Sequence, residues 1–356
     1  MTPEERAGWV RAMGARSDWW ALRREPVVAP EADLVDAHFH LWQARTLPDP
    51  QDATRSLRTS RYLLDEFRRD TGSGHRVVQC VYVECGTAHY PDGPAPLRPV
   101  GETEFVAALA RQGGTPEIAA MVAHADLRDP DLDRVLDAHE AAGGGLVRSI
   151  RHAGARLEDP ADRLLAGAAP PGLYADPDFR RGVARLGARG LVFDAFQFHF
   201  QVGQLVALAQ AVPGTTFVVN HLGTPVGYAG PPAEADPVFA AWRDGIEALA
   251  RLPNIVMKLG GLASVVTGYD GGTRDLPPGS ESFVAERGAY FHHAIGCLGP
   301  ERCMFESNWP VDSVSIGYAV LWNAYKRIAL DYGPAAQAAL LAGTARRVYR
   351  IPPPAG

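Results

Sequence analysis

The sequence has few cysteines, and those it has are badly placed for cross-linking. Cys80, Cys85, Cys297 and Cys303 form no CxxC pair. Two of them flank an apolar run, which reads as buried thiols rather than a disulfide framework. Basic blocks are absent and the formal charge is −6, which argues against a nucleic-acid surface. No apolar run is long enough for a membrane helix. The first residues, with Glu4, Glu5, Arg6, Arg11 and Arg16 close together, lack the apolar core of a signal peptide. A soluble, cytoplasmic protein without membrane contact is the expectation. Gly143-Gly144-Gly145 precedes a strand and has no Gly-Lys-Ser/Thr continuation, so it is a turn and not a phosphate loop. Nor is there a sequence-local Ser-His-Asp module.

What is present is an alternation of short apolar runs with helical spacing. Strands are expected to end at His40 and to cover residues 77–84, 117–125, 146–150, 191–196, 216–223, 255–261 and 303–308. Helices fit residues 62–69, 102–110, 126–139, 204–211, 239–251, 281–295, 315–330 and 335–341, and 173–185 where Pro177 interrupts. Eight such units fit either a closed parallel barrel or a doubly wound open sheet. Polar residues gather after several strands, which favours the barrel, where those ends converge on one mouth. The fold class is therefore α/β, a distorted TIM (β/α)8 barrel. Residues 1–33, with Trp9, Trp19 and Trp20, form an N-terminal extension, and residues 34–356 one catalytic domain.

Chemistry first shows in Asp36-Ala37-His38-Phe39-His40. Strand alternation puts His38 and His40 on one face, with Asp36 in register. These two imidazoles with His199 are the expected ligands of one divalent ion, zinc or manganese, with an open position for water or substrate. His221 in Asn220-His221-Leu222-Gly223 is placed to exchange a proton with water or polarise a carbonyl, Gly223 allowing a close turn. Arg151 can grip a substrate carboxylate, or else pair with Asp36 or Glu84. In Phe305-Glu306-Ser307-Asn308, Asn308 offers an amide oxygen but cannot act as a base; Glu306, Asp312 or Glu84 would have to supply a carboxylate. Lys258 is either a cation for the substrate or a residue where strand seven becomes wet. Trp42, Phe196, Phe198, Phe200 and Trp309 imply a partly apolar pocket.

From Val35 to about Tyr349 the chain resembles the amidohydrolase-related metal-dependent hydrolases, above all the branch with fuconolactonase-like and pyrone-dicarboxylate lactonase-like enzymes. The resemblance rests on Val35-Asp36-Ala37-His38-Phe39-His40, Phe193-Asp194 with His199, Asn220-His221-Leu222-Gly223 and Ser307-Asn308-Trp309-Pro310. It implies first-strand ligand positions for His38 and His40, chemistry at His221 and a fifth-strand ligand position for His199. Asn308 stands where such enzymes commonly carry an aspartate. One ion or none is implied, since some members polarise a lactone with protein groups alone. The leading expectation is hydrolysis of a small lactone, with or without a carboxylate. The alternatives are metal-assisted non-oxidative decarboxylation of an unsaturated or aromatic acid, and a non-catalytic ligand-binding barrel. A homodimer is compatible with such a barrel.

Overall fold

The apolar runs become β1 (Asp33–Phe39), β2 (Arg76–Val83), β3 (Glu117–His124), β4 (Val147–Arg151), β5 (Val192–Ala195), β6 (Phe217–Val219), β7 (Ile255–Leu259) and β8 (Cys303–Phe305). This computed structural model describes residues 17–43, 61–157, 169–227 and 236–354. The eight strands pair in sequence order, each parallel to the next. β8 meets β1 at one bridge, Phe39 to Trp309, where His40 N donates to Trp309 O at 2.8 Å, so the barrel is nearly closed with an open seam. Parallel strands covered on both faces need continuous apolar sequence, which is why these runs were legible.

Two apolar layers result. Val35, Ala37, Val81, Val83, Val122, Val192, Val218, Val256 and Met304 cluster inside the barrel. Leu34, Phe39, Tyr82, Met121, Phe193, Phe217, Met257 and Phe305 face the helices. Helix Pro177–Ala188 starts at Pro177 behind the Asp176 cap instead of being interrupted by it; proline lacks an N–H that the first turn would leave unpaired anyway. The last segment is a wide helical turn, Ala339–Gly343, running into helix Thr344–Tyr349, which the sequence reading did not anticipate. Ala342, Ala345, Val348, Tyr349 and Ile351 join the inner cluster and close the barrel floor.

The described part of the extension is docked. Trp20 lies 5.4 Å from the Trp309 ring and donates to Ser313 O at 3.0 Å, and Glu25 accepts from Ser280 N at 2.8 Å. The rest of the expected lead-in and the loop at 47–60 lie outside the described residues. Among those described, no helix is long and apolar enough to cross a membrane.

Candidate active site and metal centre

β1 delivers its histidines through a bulge. Asp36 is partnered by Cys80 and Phe39 by Tyr82, so Ala37 and His38 together oppose one residue of β2. The extra residue resets the alternation. His38 and His40 share the inner face, with Nε2 atoms 3.2 Å apart, as expected. Asp36 does not join them. It faces outward, accepting from Ser307 N at 2.9 Å, Ser307 Oγ at 2.6 Å and Tyr318 OH at 3.0 Å, and so ties β1 to β8 beside the seam. Burial lifts its carboxyl to about 6 against the pull of these donors.

Glu306, just past β8, is the hub of the mouth. Its Oε1 accepts from His221 Nδ1 at 2.6 Å and from His221 N at 3.1 Å, while Oε2 lies 2.8 Å from His38 Nδ1. His221 therefore carries its proton on Nδ1, leaving Nε2 as the basic ring nitrogen. The chain turns sharply to present it: His221 and Leu222 have φ of +54° and +53°, a left-handed pair that ordinary side chains avoid, ahead of Gly223 at +69°. An observed strain of this kind marks a site whose surroundings hold it in place.

His38, His221 and Glu306 each offer one ligand atom, all within 4.8 Å of one another. Two features show that the group fits a divalent cation. Glu306 Oε2 is buried and makes no aligned hydrogen bond despite its short contact with His38; an unpaired buried carboxylate oxygen is costly. The second feature is a conflict of lone pairs. His40 Nδ1 donates to Val83 O at 2.7 Å, so a neutral His40 turns the lone pair of Nε2 toward His38. Burial, reinforced by Lys258, His221, His40 and Arg151, pushes His38 well below the usual imidazole range. A neutral His38 then either meets His40 Nε2 lone pair to lone pair, a repulsion that a cation relieves, or turns its Nδ1 lone pair to the side where Lys258 Nζ lies at 3.5 Å and Glu306 Oε2 at 2.8 Å. Imidazole and carboxylate are the donors that zinc-like ions take.

Beneath this group lies a buried pair. Lys258 Nζ is 2.8 Å from Asp194 Oδ1 and 3.5 Å from His38 Nδ1. Asp194 also accepts from Ser149 Oγ at 2.7 Å, Asn220 Nδ2 at 2.8 Å and Tyr349 OH at 3.0 Å. The sequence reading noted Lys258 and Asp194 separately and missed the network. Its signal was the inward register of Val192, Asp194 and Phe196, a charge between two apolar residues of one barrel face.

Arg151 sits at the mouth, its Nε donating to Glu84 Oε1 at 2.6 Å and its Nη2 to Glu84 O at 2.5 Å. Burial alone would raise Glu84; the Arg151 guanidinium outweighs it and holds the carboxyl at about 2. Of the two readings of Arg151, the ion pair with Glu84 is the one formed, leaving Nη1, 3.5 Å from Asn220 Oδ1, as its least engaged nitrogen. The guanidinium carbon lies 5.9 Å from the centre of Phe196, whose ring is 5.7 Å from that of His221.

Asn308 has φ +51° and donates from Nδ2 to Asp312 Oδ1 at 2.8 Å. Asp312 also accepts from Ala263 N at 3.1 Å, and burial pushes its carboxyl well above the ordinary range. It props the loop and is not part of the ligand group. His199 is likewise placed elsewhere: its Nδ1 accepts from Val226 N at 3.2 Å and its ring packs 5.3 Å from Phe200.

The chain matches the family model described as Amidohydrolase over residues 35–351. An L-fucono-1,5-lactonase of Burkholderia multivorans is 33% identical over 329 residues, covering 90% of this chain and 97% of that protein. A crystal structure of an amidohydrolase from Burkholderia multivorans with bound zinc superposes with a TM-score of 0.68 at 29% identity, over 90% of this chain and 100% of the other. The 5-carboxyvanillate decarboxylase of Sphingomonas paucimobilis shares the fold, with a TM-score of 0.54 at 14% identity over 90% of this chain and 99% of the other.

Proposed function

Because the chain belongs to the amidohydrolase family, we propose that it hydrolyses a small sugar-derived lactone, opening the ring ester by water attack to give the hydroxy acid. What supports this reading is the buried His38, Glu306 and His221 group at the barrel mouth, a donor set suited to holding a catalytic cation. The likeness to a lactonase at 33% identity supports the substrate class.

His38, His221 and Glu306 would hold one divalent ion, zinc or manganese. When bound, such an ion supplies carbonyl polarisation and ionises water near neutral pH. That removes the need for an aspartate where Asn308 stands. Arg151, through Nη1, faces the developing charge on the substrate or holds a substrate carboxylate, with Glu84 fixing the guanidinium plane. Phe196 lies beside His221 and gives the mouth an apolar side.

The 2.6 Å contact between His221 Nδ1 and Glu306 favours a second reading in which the protein groups act alone. His221 Nε2 then takes a proton from the attacking water, and Glu306 stabilises the imidazolium that forms. The acyl C–O bond breaks, and the same proton passes to the leaving ring oxygen.

Proton release from a panel of five- and six-membered sugar lactones, carboxylated lactones and aromatic acids, with zinc or manganese supplied, tests the proposal. Ring opening with every carbon retained is the expected result. Release of carbon dioxide would replace the lactonase reading with decarboxylation, and binding without turnover anywhere in the panel would leave a ligand-binding barrel. Dependence of the rate on added metal separates the two routes.

A further inference from the structure

The barrel floor, opposite the mouth, carries a charged recess that the proposed reaction does not use. Two adjoining cavities of about 260 and 220 Å³ open where β4, β5 and β6 begin, against the end of the last helix, and share Leu191 and Arg350. Arg148, Arg189, Arg347 and Arg350 line them. Arg189 is neutralised, lying 3.0 Å from Asp133, 2.5 Å from Asp137 and 3.1 Å from Glu140. The other three have no carboxylate within ion-pair reach among the described residues. Arg350 and Arg347 donate to the carbonyls of Gly190 and Glu301. Arg148 Nε is buried and meets no acceptor.

Arg76, Arg128, Arg185 and Arg274 each pair with a carboxylate, while Arg98, Arg180 and Arg302, like Arg347 and Arg350, donate to carbonyls; what sets Arg148, Arg347 and Arg350 apart is that they gather in one recess. Here burial, and then the nearby Arg350 charge, depress Arg148 below its usual range, so the two guanidiniums stand close enough to repel. Arg350 ends its helix at φ +52°, a costly backbone state for a long side chain. The rim is open: a methyl at Gly145 or Gly214 would touch nothing, and one at Gly190 would meet only Arg350 Nη1, at 3.5 Å.

We propose that this recess binds a phosphate-sized oxyanion, with Arg148, Arg350 and Arg347 supplying the positive charge. Guanidinium forks match tetrahedral oxyanions with two-point hydrogen bonds, and an anion there would offset the like charges of Arg148 and Arg350, which line the same cavity. The recess is small and half open and the whole chain is acidic, which favours a discrete ion over a polyanion tracking a basic stripe. The oxyanion is either free phosphate or the phosphate group of a small monoester.

Calorimetric titration of the whole protein with inorganic phosphate and with glycerol 3-phosphate, at low ionic strength, tests this. Sodium chloride at matched ionic strength is the reference. One saturable site is expected in the wild type, weakened at least tenfold by Arg148→Gln and by Arg350→Gln. It should be unchanged by Arg134→Gln, a surface arginine 3.9 Å from Asp131. Tighter binding of the monoester identifies an esterified phosphate as the ligand, and tighter binding of phosphate identifies the free ion. Absence of saturable binding, the same response to chloride, or phosphate affinity indifferent to both recess substitutions overturns the proposal; the last would put the anion at the mouth instead. Should Arg350→Gln fail to fold, Arg148→Gln decides alone, since the Arg148 Nε has no bond to lose.

Discussion

Glu84 and Arg151 form a pair whose effect on stability changes with pH. The folded carboxyl sits at about 2, below its ordinary 4.5, so its contribution is fully present above pH 4.5 and is lost as pH falls toward 2. Glu84→Gln should cost about 3 kcal/mol at pH 7, by leaving a buried guanidinium short of its partner. Urea denaturation should show that cost shrinking steadily below pH 4.5; a cost constant with pH would contradict the pairing. Asn308 and Asp312 give the opposite sign. Asn308→Asp would set a second carboxyl 2.8 Å from one that burial already pushes up, so one of the two must keep a proton in the folded state. The penalty, roughly 1–3 kcal/mol, should grow as pH rises from 5 to 8, which thermal midpoints at the two pH values will show. At this scale the side chains gathered at the mouth were legible in the sequence, as was Glu84 as one candidate partner of Arg151, but the place of Glu306 between His38 and His221 was not. His38, His221, Glu306 and Arg151 stand out by type and strand position. That Asp36 turns away from the histidines depends on the bulge, a pairing event between strands that single-strand alternation cannot express.

Gly260 and Gly261, at the end of β7, show how elements set the site. A methyl at Gly260 would collide with the carbonyl and Cγ of Glu306, and one at Gly261, where φ is +72°, would lie 2.6 Å from His221 Nδ1. Gly261→Ala is therefore expected to lower kcat/KM at least tenfold and to destabilise the fold by about 1–3 kcal/mol. Retained turnover at full rate would mean that His221 can move without consequence. All eight strands were readable because runs apolar on both faces have little alternative but a covered parallel sheet. Element ends were less so: Pro177 opens its helix because Asp176 caps it. The closing helix was missed because its residues are chosen to fit the barrel floor, and nothing local announces that packing.

Across the whole molecule, floor and mouth are joined through one hydroxyl. Tyr349, from the closing helix, donates to Asp194, and Asp194 holds Lys258 beneath His38. Tyr349→Phe leaves the buried Asp194 one donor short, an expected loss of about 1–3 kcal/mol in urea denaturation, whereas an unchanged midpoint would mean that the remaining donors suffice. The most direct test of the site is the metal content of protein purified without chelator or metal-affinity tag, compared between wild type, Glu306→Gln and His199→Ala. About one divalent ion per chain, lost in folded Glu306→Gln and retained in His199→Ala, is the predicted result. Full occupancy in Glu306→Gln, or loss in His199→Ala alone, would contradict the His38, His221 and Glu306 centre.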